Sequence, residues 1–365
     1  MIKVLNVVGA RPNFMKIAPI QRAMQAYSNV QPVLVHTGQH YDEKMSKLFF
    51  EDLQLPKPDI YLHVGSASHA VQTAKIMIEF EKVIQQEKPD LVIVVGDVNS
   101  TAACSLVASK MGVKIAHVEA GLRSFDRAMP EEINRMVTDV ISDFLFVTEK
   151  SGLVNLKKEG IAEEKIHFVG HVMIDSLIYF TEKAQQSDIK KRLHMDSKDY
   201  ALVTLHRPSN VDSKINFTKL LEAFDVIEKD LPILFPIHPR SKKMIENLQL
   251  QDTIDKMKNL HIMEPLGYLD FMHLLHNAKL VLTDSGGIQE ETTYLGIPCI
   301  TMRENTERPI TVEVGTNTIV GTNTALIIEE AKKVLDGKNK KGQIPDLWDG
   351  KSAERIVSII NKELS

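Results

Sequence analysis

The stretch LTDSGGIQEE, residues 282–291, ends an apolar run with a serine and two glycines and then turns polar and acidic. Lys279-Leu280-Val281-Leu282-Thr283 has the length and composition of a short buried strand, and Gly286-Gly287 lets the backbone turn sharply into a helix beginning near Ile288. A strand, turn and helix in that order aim free N–H groups and the positive end of a helix dipole at one point, which suits a phosphate, and Ser285 adds a hydroxyl. A plain Gly-rich connection, with acids merely favouring a helix N-terminus, would look the same over these ten residues. The rest of the chain has to decide.

Outward from this turn the same alternation repeats. Runs at 200–206, 232–238, 259–263, 279–283, 297–301 and 317–320 read as strands separated by helical stretches. An earlier series, at 2–8, 32–36, 91–95, 114–118, 144–147 and 166–169, alternates with helical stretches at 15–26, 69–86, 99–111, 131–142 and 150–158. Each series is the signature of a parallel sheet. The expected fold is therefore α/β, with two Rossmann-like domains facing a cleft. The first domain spans 1–170, the second 171–350, and a final helix within 351–365 packs back on the first. Ligands bind such folds beyond the carboxyl ends of the strands.

Composition narrows the partners. A chain of 365 residues, 43% hydrophobic, is long enough for two full cores. A formal charge of −4 argues against nucleic acid or a membrane surface as partner, so any phosphate affinity must be local. No apolar run approaches the roughly 20 residues of a membrane helix, and MIKVLNVVGARP enters a strand directly, so a cytoplasmic protein is expected. The two cysteines, Cys104 and Cys299, sit in apolar settings and read as buried thiols.

Polar residues gather just after the strands. VVGARPNFMK puts Arg11 and Lys16 near the end of the first strand, two cations able to face a diphosphate. IVVGDVNST leaves Asp97 at the mouth of an apolar strand, and IAHVEAGLRS does the same for Glu119 and Arg123. Two carboxylates at neighbouring strand ends suit acid/base chemistry, although either could instead cap a helix or pair with an arginine. MPEEINR adds Glu131 and Glu132 at a helix start. In the second domain LVTLHRPSN carries His206 and Arg207 off a strand, FPIHPRS carries His238 and Arg240, and MRENTERP supplies Arg303, Glu307 and Arg308 beside the Gly-Gly turn. The chain has no Walker-type Gly-Lys-Ser/Thr, no GxGxxG and no cysteine cluster, which leaves NAD and structural zinc without support. A phosphate turn in one domain and clustered carboxylates with cations in the other fit an enzyme of nucleotide sugars.

Taken together, GARPNFMKIAPI, VVGDVNST, HVEAGLRS, PEEINR, LHRPSN, TDSGGIQEE and RENTERP resemble the non-hydrolysing UDP-N-acetylglucosamine 2-epimerase family, of the glycosyltransferase-B type fold, in the family's order and over nearly the whole chain. The resemblance implies reversible conversion of UDP-GlcNAc to UDP-ManNAc for cell-surface polysaccharide precursors, with no metal or added cofactor, by a homodimer. UDP is eliminated across C1 and C2 to a 2-acetamidoglucal, then adds back with the C2 proton returned to the other face. By motif match Asp97, Glu119 and Glu131 resemble the family's catalytic carboxylates, with no assignment of proton to residue, and Lys16 and His206 resemble active-site groups. Arg11, His206, Ser285, Gly286 and Gly287 occupy the positions expected to stabilise the leaving diphosphate, Arg308 resembles a further ligand of the nucleotide side, Glu291 resembles the ribose ligand, Phe271 stands where the family packs near uracil, and His238 is a further substrate-binding candidate.

The chain departs from the family pattern at several places. Bacterial members activated by a second UDP-GlcNAc resemble one another in an Arg-Arg-Glu-Asn tetrad and a second glutamine, where this chain has Arg207-Pro208-Ser209-Asn210 and Asp42, while Gln39 and His238 are retained. Independence from such activation is the expectation. GARPN and GDVNS stand where many members have Thr-Arg-Pro-Glu and Gly-Asp-Thr-Thr, which keeps UDP-2,3-diacetamido-glucuronate open as the substrate. A hydrolysing epimerase that frees UDP and ManNAc, a glycosyltransferase of the same fold and a nucleotide-sugar-binding regulator are the further alternatives.

Overall fold

Apolar runs of the right length become strands, and the computed structural model, which describes residues 1–38, 57–196 and 198–365, places them in two parallel sheets. In the first, β1 (Ile2–Val8), β2 (Val30–His36), β3 (Ile60–Tyr61), β4 (Leu91–Val95), β5 (Lys114–Ala120), β6 (Phe144–Val147) and β7 (Ile166–Phe168) lie in the order β3-β2-β1-β4-β5-β6-β7. All five residues of β4 are buried, as a strand covered on both faces by helices requires. The two-residue β3 has no apolar run of its own, and the sequence reading passes over it.

Helices α1 (Arg11–Met24), α2 (His69–Glu87), α3 (Asn99–Lys110), α4 (Pro130–Ile141), α5 (Lys150–Lys158) and α6 (Val172–Gln185) connect and cover this sheet. Helix α1 begins at Arg11, four residues earlier than its apolar spacing indicates. Pro12 pre-sets the first turn, and the Asn13 Oδ1 accepts from the Gly9 and Ala10 amides at 3.0 and 2.9 Å.

The second sheet contains β8 (Ala201–Thr204), β9 (Ile233–Pro236), β10 (Leu260–Met263), β11 (Leu280–Thr283), β12 (Cys299–Thr301) and β13 (Asn317–Ile319), in the order β10-β9-β8-β11-β12-β13. Helices α7 (Lys214–Ile227), α8 (Pro239–Asn247), α9 (Tyr268–His276), α10 (Gly286–Leu295) and α11 (Thr324–Leu335) pack against it, and α12 (Ser352–Leu364) ends the chain. Each sheet reverses its strand order once, between β1 and β4 and between β8 and β11. At such a reversal two neighbouring crossovers leave on opposite faces, which opens a crevice at the carboxyl ends of the strands.

The chain divides into two compact units, Met1–Tyr179 with Asp346–Ser365, and Phe180–Pro345. The C-terminal segment is built into the first unit. Trp348 is buried and its indole donates to the Thr148 carbonyl at 3.1 Å. Asp175 of α6 accepts from the Ser352 and Ala353 amides at 3.2 and 2.7 Å, closing the N-terminus of α12, whose Ile356, Val357 and Ile360 are buried. Among the described residues no helix is long and apolar enough to cross a membrane.

Candidate active site

In the first unit the carboxyl ends of β1, β4 and β5 lie side by side. Lys16, on the second turn of α1, is buried and forms an ion pair with Glu119, itself buried at the end of β5. The amine reaches that far because residue 96 is glycine: a Cβ there would stand 2.9 Å from the Lys16 Nζ. Glu119 has φ +76°, rare for a residue with a side chain, and marks a register shift between β5 and β6. The bulge turns one residue out of the alternation of the strand and aims its carboxylate.

Asp97 follows β4 by two residues. Its carboxylate pairs with Arg135 of α4, and its backbone carbonyl accepts from the Asn134 side-chain Nδ2 at 2.9 Å. Arg135 also binds Glu132 at 2.5 Å. Glu132 in turn accepts from the Ser124 amide and hydroxyl and from the Phe125 amide, at 2.9, 3.0 and 3.0 Å. Burial works against the charged form of Glu132, but these donors and Arg135 hold its carboxyl below the usual range. Glu131, next to it at the helix start, is half-buried and has no hydrogen-bond or ion-pair partner among the described residues. The structure therefore brings Lys16 and Glu119 into contact and ties Asp97 to the helix that carries Glu131. Arg11 opens α1, but its side chain, like Gln39 and Asp42, lies outside what is described.

The asparagines that set GARPN and GDVNS apart are engaged by the scaffold. The Asn13 Nδ2 donates to the Val95 carbonyl at 3.2 Å, and the Asn99 Nδ2 to Gln72 at 2.8 Å.

In the second unit His238, His206, the turn 284–287 and the segment 303–308 follow β9, β8, β11 and β12, four adjacent strands. Ser285 is the N-cap of α10. A Cβ on Gly286 would stand 2.9 Å from Glu307 and 3.1 Å from Arg308, whereas one on Gly287 would meet nothing within 4 Å. The helix N-terminus thus presents its donors beside open space, the geometry a phosphate needs. Asp284, which the sequence reading left without a role, is buried beneath this turn. It accepts from the His206 and Arg207 amides and from the Asn210 side chain, and its Oδ1 lies 3.1 Å from the His206 Nδ1. Burial opposes its ionisation, yet His206 and the two amides hold it below the usual carboxylate range. His206 is half-exposed, and its ring centroid lies 5.5 Å from that of the exposed His238.

Arg308 is buried between Glu290, at 2.7 Å, and Glu307, at 2.6 Å, and Glu307 also binds Arg303 at 2.8 Å. Burial of Glu307 is outweighed by Arg308 and Arg303, which keep it far below the usual range. Glu291 is the opposite case. It is buried next to the charge of Glu290, and burial first, then that charge, push its carboxyl up to about 8. Phe271 of α9 packs partly buried on the cluster containing Ile288 of α10, one residue beyond the glycine turn.

The family model of UDP-N-acetylglucosamine 2-epimerase matches residues 22–361 of this sequence. The chain belongs to this family. A UDP-N-acetylglucosamine 2-epimerase of Methanocaldococcus jannaschii is 47% identical, with 98% of this chain and 99% of that protein covered. The crystal structure of the M. jannaschii UDP-GlcNAc 2-epimerase in complex with UDP-GlcNAc and UDP is similar at a TM-score of 0.91 and 46% identity, covering 99% of this chain and all of that one. A UDP-2,3-diacetamido-2,3-dideoxy-D-glucuronate 2-epimerase of Pseudomonas aeruginosa is 40% identical, over 99% of this chain and 100% of that protein. The α/β architecture expected from the strand and helix pattern is thus the architecture of the UDP-N-acetylglucosamine 2-epimerase family.

Proposed function

We propose that the chain is a non-hydrolysing epimerase that interconverts UDP-GlcNAc and UDP-ManNAc at C2, by elimination of UDP and its re-addition to the opposite face. The reading is supported above all by similarity along the whole chain to the M. jannaschii enzyme, whose crystal structure contains UDP-GlcNAc and UDP.

Removing a weakly acidic C2 hydrogen needs a positioned base, and returning a proton from the other face needs a second group. Asp97, Glu119 and Glu131 supply these groups in the first unit. Lys16, paired with Glu119, holds that carboxylate in one orientation and provides a cation beside it. As the C1–O bond breaks, charge grows on the departing diphosphate. Donors aimed at it then bind the transition state more tightly than the ground state. Ser285 and the α10 N-terminus at Gly286 and Gly287 fill this role, with His206 held by Asp284 and Arg308 held by Glu290 and Glu307. Glu291, largely neutral at pH 7, offers both a donor and an acceptor to a ribose hydroxyl. Phe271 packs near the base. Arg11 completes the diphosphate ligands and His238 stands beside His206.

A second reading keeps the chemistry and changes the sugar to UDP-2,3-diacetamido-glucuronate. The P. aeruginosa relative favours it. NMR of the protein with each UDP-sugar in deuterium oxide separates the two. The epimer with deuterium at C2 and no stoichiometric free UDP is the expected result for UDP-GlcNAc. Turnover of only the uronate moves the assignment to the second sugar, and UDP rising in step with product points to hydrolysis.

We place the enzyme in the cytoplasm, where the buried free thiols Cys104 and Cys299 stay reduced. It acts as a homodimer, in keeping with Val71 and Ile78 exposed on α2 and Ile133 and Val140 exposed on α4. Light scattering that gives a monomer mass at micromolar concentration would remove the dimer.

A further inference from the structure

Two turns beyond Glu131, helix α4 carries a carboxylate with no exposure to solvent. Asp139 has three partners: the His117 Nδ1 at 2.6 Å, Arg123 at 2.7 Å and the Gly121 amide, which donates at 3.1 Å. The other ring nitrogen of His117 lies 2.8 Å from the Gly96 carbonyl oxygen. A carbonyl oxygen and a carboxylate both accept, so His117 faces an acceptor at each ring nitrogen and bridges the two. Burial works against a charged Asp139, but His117 and Arg123 hold it below the usual carboxylate range.

These bonds end at two particular places. Gly96 immediately precedes Asp97, and Gly121 follows Glu119 by two residues. Both glycines and Glu119 itself have positive φ, +65°, +80° and +76°. At Glu119, which unlike the glycines carries a side chain, backbone of this kind persists only where its surroundings over-determine it. The side chain of Asp97 is already held by Arg135 and its carbonyl by Asn134, on the turn of α4 just before Asp139.

We propose that Asp139 is a positioning residue: through His117 it fixes the Gly96 carbonyl, and directly it fixes the Gly121 amide, so one buried carboxylate sets the spacing between Asp97 and Glu119. The proposal rests on the epimerase reading above. A buried ion pair serving stability alone would alter the melting temperature and leave turnover per folded molecule unchanged.

The test uses the full-length enzyme with Asp139→Ala, Asp139→Asn and His117→Asn, reading kcat and KM for UDP-GlcNAc, UDP affinity by calorimetry and the folded fraction by circular dichroism. A shift of the order of 1 Å in a reacting group costs about 100-fold in rate. Asp139→Ala is therefore expected to lose about 100-fold in kcat, with KM and UDP affinity within about threefold of the wild type. Asp139→Asn keeps an acceptor for the Gly121 amide and a polar contact to the His117 ring, so it recovers most of the rate. His117→Asn, which shortens the side chain away from Gly96 while still able to donate to Asp139, loses tenfold or more in kcat, and it decides the matter if Asp139→Ala does not fold. Turnover per folded molecule within about threefold of wild type in Asp139→Ala and His117→Asn overturns the proposal. So does a parallel loss of kcat and UDP affinity, which would mean general loosening. Wild-type enzyme that exchanges no C2 hydrogen in any UDP-sugar tested overturns the epimerase reading, and the positioning role with it.

Discussion

Replacing Glu291 by glutamine should make the protein less sensitive to pH, and the size of the effect follows from its burial. The carboxyl sits at about 8 in the folded chain, against an ordinary 4.5. Below pH 4.5 both folded and unfolded chains carry it protonated, and its contribution to stability is fully present. Between 4.5 and about 8 the unfolded chain releases the proton while the folded chain keeps it, so stability falls as pH rises through that window and levels off above it. The span is about 3.5 pH units, each worth about 1.4 kcal/mol, which sets an upper value near 5 kcal/mol. Urea denaturation followed by circular dichroism at several pH values from 5 to 9 gives the difference directly. Glu291→Gln is expected to gain on the wild type by several kcal/mol between the ends of that range. The same variant keeps one donor and one acceptor, so UDP should bind within about threefold of wild type, whereas Glu291→Ala, which has neither, should lose tenfold or more. Parallel stability curves for Glu291→Gln and wild type would refute a protonated Glu291 at neutral pH.

Lys16→Ala leaves Glu119 buried without its cation and should lower kcat by about 100-fold or more, read in the deuterium-exchange assay, while UDP affinity stays within a few fold. Gly287→Val places a side chain in the open space at the α10 N-terminus. UDP affinity should fall at least tenfold in calorimetry, with a stability change of no more than about 1 kcal/mol. Arg135→Met strips two carboxylates, Asp97 and the buried Glu132, of their shared partner and should cost about 3–5 kcal/mol in urea denaturation. A cost below about 1 kcal/mol would show that the arginine is dispensable to the fold.

Most of the strands were legible because each is an apolar run bounded by glycine, proline or a polar residue. β1, β4 and β6 begin and end where the sequence pattern places them. The pattern also announced residues that stand just after a strand, which is why Asp97, His206 and Ser285 stood out. What it could not show were pairings over distance. His117 sits inside a strand and Asp139 inside a helix, 22 residues on, and nothing local distinguishes them from core residues. Asp284 and Arg135 were inside quoted motifs, yet their work depends on partners 77 and 38 positions away. An acid directly after an apolar strand is the available signal for Asp284, and it is masked by the glycines beside it, which account for the turn on their own.

The first unit is not a continuous stretch of chain. Its last part, Asp346–Ser365, follows the whole of Phe180–Pro345, and it brings Trp348 and the buried face of α12. During synthesis the ribosome must therefore read through the 166 residues from Phe180 to Pro345 before the first unit can be finished. At roughly 5–20 residues per second that wait lasts about 8 to 33 s. Over that interval the side of α1 that α12 will cover, and the unit's Asp175 carboxylate, have no partner from the C-terminus. A released chain ending at Pro345 should be cleaved by protease within the first unit and resist it within the second. Completing the last 20 residues should make both resistant together.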